Sequence, residues 1–240
     1  MVSFTFATLT AAIALIAQTV IAVPSPNLDS NGVYVKRAAS CSFLKASKTT
    51  SLKAPMAVKG TFDGKLEGGD KDAVFLLEDG ATIKNVIIGA NQAEGIHCKG
   101  TCNIYNVWFE AVCEDAITLR QKSGTSNIIG GAAKGASDKV IQHNGSGVVN
   151  IDLYCVQDFG KLYRFCGNCK TQYKRTVNIS NVIAKNGKLL AEINSNYGDV
   201  ATIKTKTNSY SSVKSICDTF KGNSSGKELS KLTSNKANSR

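Results

Sequence analysis

Apolar residues in this chain fall in short clusters rich in Val, Ile and Thr, separated by Gly, Asn, Ser or Asp, as in 74–77, 86–88, 148–154 and 177–184. No long window carries a 3.6-residue apolar stripe outside the N-terminal stretch, so the pattern predicts strands and turns rather than helices. One phrase, Thr or Asn followed by Ile, recurs as Thr82-Ile83, Asn103-Ile104, Asn127-Ile128, Asn150-Ile151, Asn178-Ile179 and Thr202-Ile203. Its isoleucines are 21, 24, 23, 28 and 24 residues apart, the range in which self-similarity marks a stacked array. A second phrase, an edge residue before an apolar pair, recurs as Glu94-Gly95-Ile96, Asp115-Ala116-Ile117, Lys139-Val140-Ile141, Lys161-Leu162-Tyr163 and Lys188-Leu189-Leu190, at spacings of 21, 24, 22 and 27. Short strands at this period predict an all-β fold, a right-handed parallel β-helix in which each coil buries its inward row on its neighbours. The isoleucines are then core, and the asparagines beside them sit at bends where their amides can bond along the stack.

Residues 4–22 are apolar and end in Val20-Ile21-Ala22, with Pro24 and Pro26 stopping any helix. Residues 1–22 therefore read as a secretory signal, although a basic start is missing; no stop-transfer flank follows to suggest an anchor. Lys36-Arg37 is a dibasic cleavage candidate, making 23–37 a candidate pro-segment. Residues 38–220 remain for the β-helix, and 221–240, rich in Ser, Asn and Lys, read as a mobile basic tail. With 42% hydrophobic residues over 240 positions the chain can bury a continuous core. The eight cysteines form an even set, which outside the cell predicts disulfides throughout. Cys98-x3-Cys102 and Cys166-x2-Cys169 also approach metal or redox spacings, but His97 and His143 are the only histidines and no redox-type helix follows Cys166. Asn144, Asn178 and Asn223 begin Asn-x-Ser acceptor sequences for glycosylation, Asn178 within the core phrase.

The formal charge is +11; removal of residues 1–37 takes away Lys36, Arg37 and Asp29 and leaves 27 basic against 17 acidic side chains, or +10. A secreted, extracellular protein of that charge is expected to meet acidic polymers. Nucleic acid is disfavoured because the few aromatics do not interleave with the basic residues. No membrane association after signal removal and a monomeric state are expected.

Coils of such a stack lie about 4.8 Å apart, so Glu94, Asp115, Lys139 and Lys161 should form one column about 15 Å long, roughly the reach of three sugar units. Glu114 joins Glu94 and Asp115 at the acidic end. Three carboxylates so close repel unless neutralised, and hard oxygen ligands suit Ca²⁺. At the other end Arg164 joins Lys139 and Lys161, while His97, Thr118 and Gln142 share an outward polar offset and Arg120 is a further cation beside Asp115. Lys188 is the weakest member, with Glu192 near enough to neutralise it. A solvated, self-compensating face is the plainer alternative; acids in two successive coils followed by lysines favour a site. A hydrolase would need paired carboxylates, whereas the acids here pair with lysines.

These residues carry a resemblance. The phrases Gly89-Ala90-Asn91-Gln92-Ala93-Glu94-Gly95-Ile96-His97-Cys98, Val107-Trp108-Phe109-Glu110 with Cys113-Glu114-Asp115-Ala116, Ala136-Ser137-Asp138-Lys139-Val140 and Asp158-Phe159-Gly160-Lys161-Leu162-Tyr163-Arg164 make the stretch 72–204 resemble the pectate lyases of polysaccharide lyase family three, secreted microbial enzymes that attack plant cell walls. The resemblance implies calcium-dependent β-elimination of polygalacturonate, the demethylated pectin of the wall, to unsaturated oligogalacturonides. It implies Glu94, Glu114 and Asp115 as calcium ligands and Lys139, Lys161 and Arg164 as catalytic and substrate-binding cations; Arg120, from its outward position beside Asp115, is added as a candidate substrate contact. Lys139 is the expected base, its pKa lowered by Ca²⁺ and neighbouring cations, with Arg164 as a carboxylate clamp and Lys161 able to exchange roles with Lys139. Family members commonly carry aspartate where this chain has Ala111; Glu110 is near but should face the other way. A weak or inactive pectate-binding protein acting on plants is the alternative on the same scaffold.

Overall fold

The computed structural model describes residues 38–46, 56–63, 67–68, 73–92 and 94–235. The expected signal, pro-segment and dibasic site lie outside these residues. The described chain is almost entirely strand, wound as a right-handed parallel β-helix of about six turns.

Each coil has three faces. The first stacks Ala73–Leu77, Glu94–Cys98, Ile117–Leu119, Lys139–His143 and the second halves of Cys155–Phe165, Ile183–Asn194 and Ser209–Lys221. The second stacks the first halves of Ala81–Ile88, Cys102–Phe109 and Thr125–Lys134 on Gly147–Asp152, Arg175–Ser180 and Val200–Ile203. The third is formed where the long strands bend, through 107–109, 131–133, 155–157, 183–185 and 209–211. Left-handed residues make the bends: Asn85, Asn106, Leu153 and Asn181 have φ of 53–57°, a region asparagine tolerates better than most side chains.

The recurrent phrase sets the core. Ile83, Ile104, Ile128, Ile151, Ile179 and Ile203 stand in register on the second face and are all buried. Beside them runs an amide ladder: Asn127 Nδ2 donates to Asn103 Oδ1 (2.8 Å), Asn150 to Asn127 (2.9 Å) and Asn178 to Asn150 (2.9 Å). The asparagines stand in register within the second-face strands, not at bends as expected, so each amide donates to one neighbouring coil and accepts from the other.

Residues 38–46 lie over the third face. Cys41 is disulfide-bonded to Cys155, the Phe43 ring meets Trp108 edge-on at 5.4 Å, and Lys134 lies 4.4 Å above Phe43. This covers the small outer cluster of Trp108, Ala132 and Cys155. At the far end the tail differs from expectation. Residues 230–233 turn back and pair antiparallel with Ser209–Lys221, closing the last coil's open edge, which a parallel stack otherwise leaves unpaired.

The local cysteine pairs Cys98–Cys102 and Cys166–Cys169 are disulfides, which removes the metal and redox readings of their spacing. The expected full pairing of eight cysteines is not met. Cys113 is an exposed thiol, and Cys217 is buried opposite Ala191 several coils away, so these two do not join.

Candidate active site

The second phrase builds an edge on the first face. Gly95 N donates to Asp115 O and Ala116 N to Val140 O, each at 3.0 Å, and Lys139 stands opposite Lys161. Glu94, Asp115, Lys139 and Lys161 therefore occupy one position in four successive coils. The two residues after each edge residue are buried, Ala116 and Ile117, Val140 and Ile141, Leu162 and Tyr163, and this double inward turn keeps the edge side chain out of the apolar core. The coils touch closely here: a Cβ at Gly95 would lie 2.2 Å from Ala116 O, and one at Gly160 would lie 2.2 Å from Asp138 O.

Lys188 does not belong to the row. Leu189 lies opposite Lys161 and Gly187 opposite Phe159, an offset of 28 that matches the isoleucine spacing of this coil, so Lys188 falls one position short. Glu192 likewise does not neutralise Lys188; it stands opposite Arg164.

Contacts run the length of the row. His97 Nε2 donates to Glu94 Oε2 at 3.1 Å, and Arg120 Nη2 lies 3.5 Å from His97 Nδ1. Arg120 thus reaches the acidic end through His97 rather than through Asp115. Asp115 is buried; Thr118 Oγ1 donates to its Oδ2 at 3.1 Å, and Lys139 Nζ lies 2.9 Å from its Oδ1. That approach is an ion pair without an aligned hydrogen bond, so Oδ1 keeps an unused lone-pair direction. Asp138 bridges the two lysines, 2.8 Å from Lys139 Nζ and 3.1 Å from Lys161 Nζ. Glu192, only 2% exposed, holds Arg164 Nε at 3.1 Å and lies 3.4 Å from Lys161 Nζ. Arg164 Nη1 also donates to Gln142 Oε1 at 3.3 Å. Asp138 and Glu192 were not among the residues predicted to matter. Adjacency to Lys139 was the available signal for Asp138, and the offset of 28 was the signal for Glu192.

Electrostatics follow from this pairing. Partial burial of Asp138 raises its pKa, but hydrogen bonds and charge from Lys139 and Lys161 outweigh that and bring it down to about 2. Burial works to lower the Lys139 pKa, yet Asp138 and Asp115 more than compensate and hold it above its ordinary value. The expected lowering is therefore not a property of the ligand-free protein, in which carboxylates rather than cations adjoin Lys139.

Calcium is the cation implied for the acidic end. Among the described residues no three His, Cys, Asp or Glu side chains converge on a metal position by themselves, so Glu94, Glu114 and Asp115 are not a preassembled cage. The donors present nevertheless suit a hard cation: all are carboxylates, Asp115 Oδ1 faces an ammonium that stands where a cation would, and Glu114 is exposed beside it. Gln92 adds a buried Oε1 without a hydrogen bond, while its Nε2 donates to Ala111 O at 2.8 Å.

Behind the row the core turns polar. His143 follows Gln142 but points inward; its Nε2 donates to Ser146 O (3.1 Å) and its Nδ1 accepts from Tyr163 OH (2.5 Å). Arg175, fully buried, donates to the carbonyls of Gly145 (2.7 Å), Asn144 (3.1 Å) and Tyr173 (3.2 Å). These bonds hold the turn that ends the Lys139–His143 strand. A separate concavity lined by Ala39, Leu153, Asn181, Val182, Thr207 and Ser209 contains no acid or base and lies away from the row.

A parallel β-helix bearing a row of carboxylates that passes into lysines and an arginine is the framework of a polysaccharide lyase. The pectate lyase family model matches residues 38–227, and the chain belongs to the pectate lyase family. It is 58% identical over 192 residues to probable pectate lyase E of Neosartorya fischeri, covering 74% of each chain. It is 51% identical over 215 residues to pectate lyase E of Emericella nidulans, covering 83% of this chain and 84% of that one. Among solved structures, pectate lyase PelI of Erwinia chrysanthemi superimposes with a TM-score of 0.70 at 29% identity, covering 89% of this chain and 76% of that one. The same enzyme in complex with tetragalacturonic acid matches with a TM-score of 0.65 at 33% identity, over 78% and 65% of the two chains.

Proposed function

We propose that this protein is a secreted, calcium-dependent pectate lyase that cleaves polygalacturonate by β-elimination. The alignment of Asp115, Lys139 and Lys161 in three adjacent coils, joined through ion pairs, carries the reading. Glu94, Glu114 and Asp115 are the residues assigned to the cation. When bound, Ca²⁺ supplies charge stabilisation to the C6 carboxylate of a uronate, which acidifies C5.

Lys139 is assigned as the base that takes the C5 proton. The C5–H electrons then form the C4–C5 double bond, the C4–O4 bond breaks, and the departing oxygen takes a proton. Asp115 and Asp138 oppose the neutral amine, so the base form requires both carboxylates to be engaged elsewhere, Asp138 by Lys161. Arg164 presents a planar fork of donors that suits a carboxylate clamp. Glu192 and Gln142 take part of its hydrogen-bonding capacity and fix its plane, and Lys161 lies one coil above Lys139 to meet a second uronate.

The assay is the rise in ultraviolet absorbance of unsaturated product on demethylated pectate, with Ca²⁺ present and with chelator. Absorbance that requires Ca²⁺ supports the reading. Folded protein that retains pectate on a column yet gives no signal across alkaline pH supports instead a non-catalytic pectate-binding protein, for which the internal matching of all three cations would be the cause.

A further inference from the structure

We propose that Asn144 carries an N-linked glycan beside the Gln142–Arg164 end of the row. The proposal rests on export of the chain and not on its reaction. Three Asn-x-Ser sequences are present, at Asn144, Asn178 and Asn223, and their amides are used differently.

Asn178 stands in the ladder, opposite Asn150 on one side and Thr202 on the other, with its Nδ2 donating to Asn150 Oδ1 at 2.9 Å. A sugar on that nitrogen would have to leave between coils about 4.8 Å apart. Asn223 closes its own loop: Nδ2 donates to Lys227 O at 3.0 Å, while Oδ1 accepts from Ser225 N and Oγ at 3.0 and 2.8 Å.

Asn144 uses oxygen only. Its Oδ1 accepts from Gln142 Nε2 at 2.6 Å and its carbonyl from Arg175 Nη2 at 3.1 Å. Its Nδ2 makes no hydrogen bond among the described residues and is not among the buried polar atoms left without a partner, so it reaches the surface of a half-buried side chain whose Oδ1 also lies 3.8 Å from Cys169 Sγ. The turn beneath is tied at every residue. Asn144 N and Gly145 N donate to Leu119 O, Ser146 N donates to Gln121 O, and His143 donates to Ser146 O. A rigid turn that presents an amide nitrogen outward while its oxygen is held inward accommodates a glycan without losing a contact.

The donor is an oligosaccharide on a polyprenyl diphosphate. Its C1–O bond breaks, a C1–N bond forms at Asn144 Nδ2, the amide releases one proton, and the diphosphate leaves. The retained Oδ1 contact keeps Gln142 in place, and Gln142 Oε1 in turn accepts from Arg164. The glycan thus stands as a hydrophilic flank to the row without disturbing it.

The test is expression of the full chain in a secreting yeast, enzymatic release of glycans in heavy-oxygen water, and peptide mapping. Asn144 is expected to return as labelled aspartate and Asn178 as unlabelled asparagine. Ser146→Ala, which keeps the Asn144 side chain and the Ser146 carbonyl contact, is expected to lower the mass by one oligosaccharide. An unmodified Asn144 in the secreted wild-type protein, a labelled Asn178, or a mass unchanged by Ser146→Ala overturns the proposal. The wild-type map needs no variant to fold, and because it is independent of the lyase assay the two readings fail separately.

Discussion

Acid sensitivity of the fold should trace to His143, and His143→Gln tests this. The imidazole is completely buried. Burial is the main cause that pushes its pKa down to about 3; the Ser146 hydrogen bond works the other way, and the positive charge of Arg175 adds to the lowering. The folded protein therefore keeps His143 neutral, whereas the unfolded chain protonates it near pH 6.5. Stability is fully present above that pH and falls as pH drops toward the folded value, by about 1.4 kcal/mol per pH unit. Two carboxylates shape the rest of the curve. Asp199, raised chiefly by burial, acts in the opposite sense as pH falls through its folded value, and Asp138, depressed to about 2, loses its contribution only below about pH 4. Between about pH 6.5 and 5 the histidine contributes about 2 kcal/mol, or roughly 4–8 °C in melting temperature for a domain of this size. Glutamine can still donate to Ser146 O but does not titrate. Thermal unfolding of both proteins across that window should give a sloping curve for wild type and a flat one for the variant; parallel curves refute the reasoning.

Lys139→Ala should reduce turnover on pectate by at least about 10²-fold, the range of a lost general base, while calorimetry still detects calcium; equal loss of calcium binding contradicts the assigned role. Asp115→Asn keeps the acceptor for Thr118 but removes the buried charge, and should weaken calcium binding by about tenfold or more, read by titration without substrate. Gly160→Ala places a methyl 2.2 Å from Asp138 O and 2.6 Å from Ser137 O, both backbone atoms. It should cost about 1–3 kcal/mol in chemical denaturation and lower activity by shifting Lys161 against Lys139.

Much of the architecture was legible because a solenoid writes its geometry as repetition. The isoleucines and asparagines recur once per coil and both columns form, the asparagines within the strands and not at the bends expected for them. The row was legible for the same reason from Glu94 to Lys161. Lys188 is the exception: aligning it by its apolar pair gives 27 residues, whereas the isoleucine of the same coil moves by 28 and the strand pairing keeps that offset throughout, from Cys155 opposite Ile183 to Arg164 opposite Glu192. Pairing across coils was less legible. Nothing local in the chain says that Asp138 bridges two lysines, that Glu192 lies under Arg164, or that Cys41 reaches Cys155, 114 residues away. Those contacts depend on which side chains the winding brings together, and a one-residue register decides them.

The unequal coils also say how such a molecule can change. From Ile104 to Ile128 the chain uses 24 residues and from Ile151 to Ile179 it uses 28, yet strands on both sides stay in step. Most of the added length leaves the wall at 166–174, between the Phe165 and Arg175 strands, where the Cys166–Cys169 disulfide gathers it. Contour length and vertical position are thus uncoupled: excess chain can be spooled outward at a corner while the spacing between reacting groups stays that of two hydrogen-bonded backbones. Rims around the groove are therefore free to lengthen, shorten or gain sugars, and to alter which polymers gain entry, with the reacting groups left where they stand.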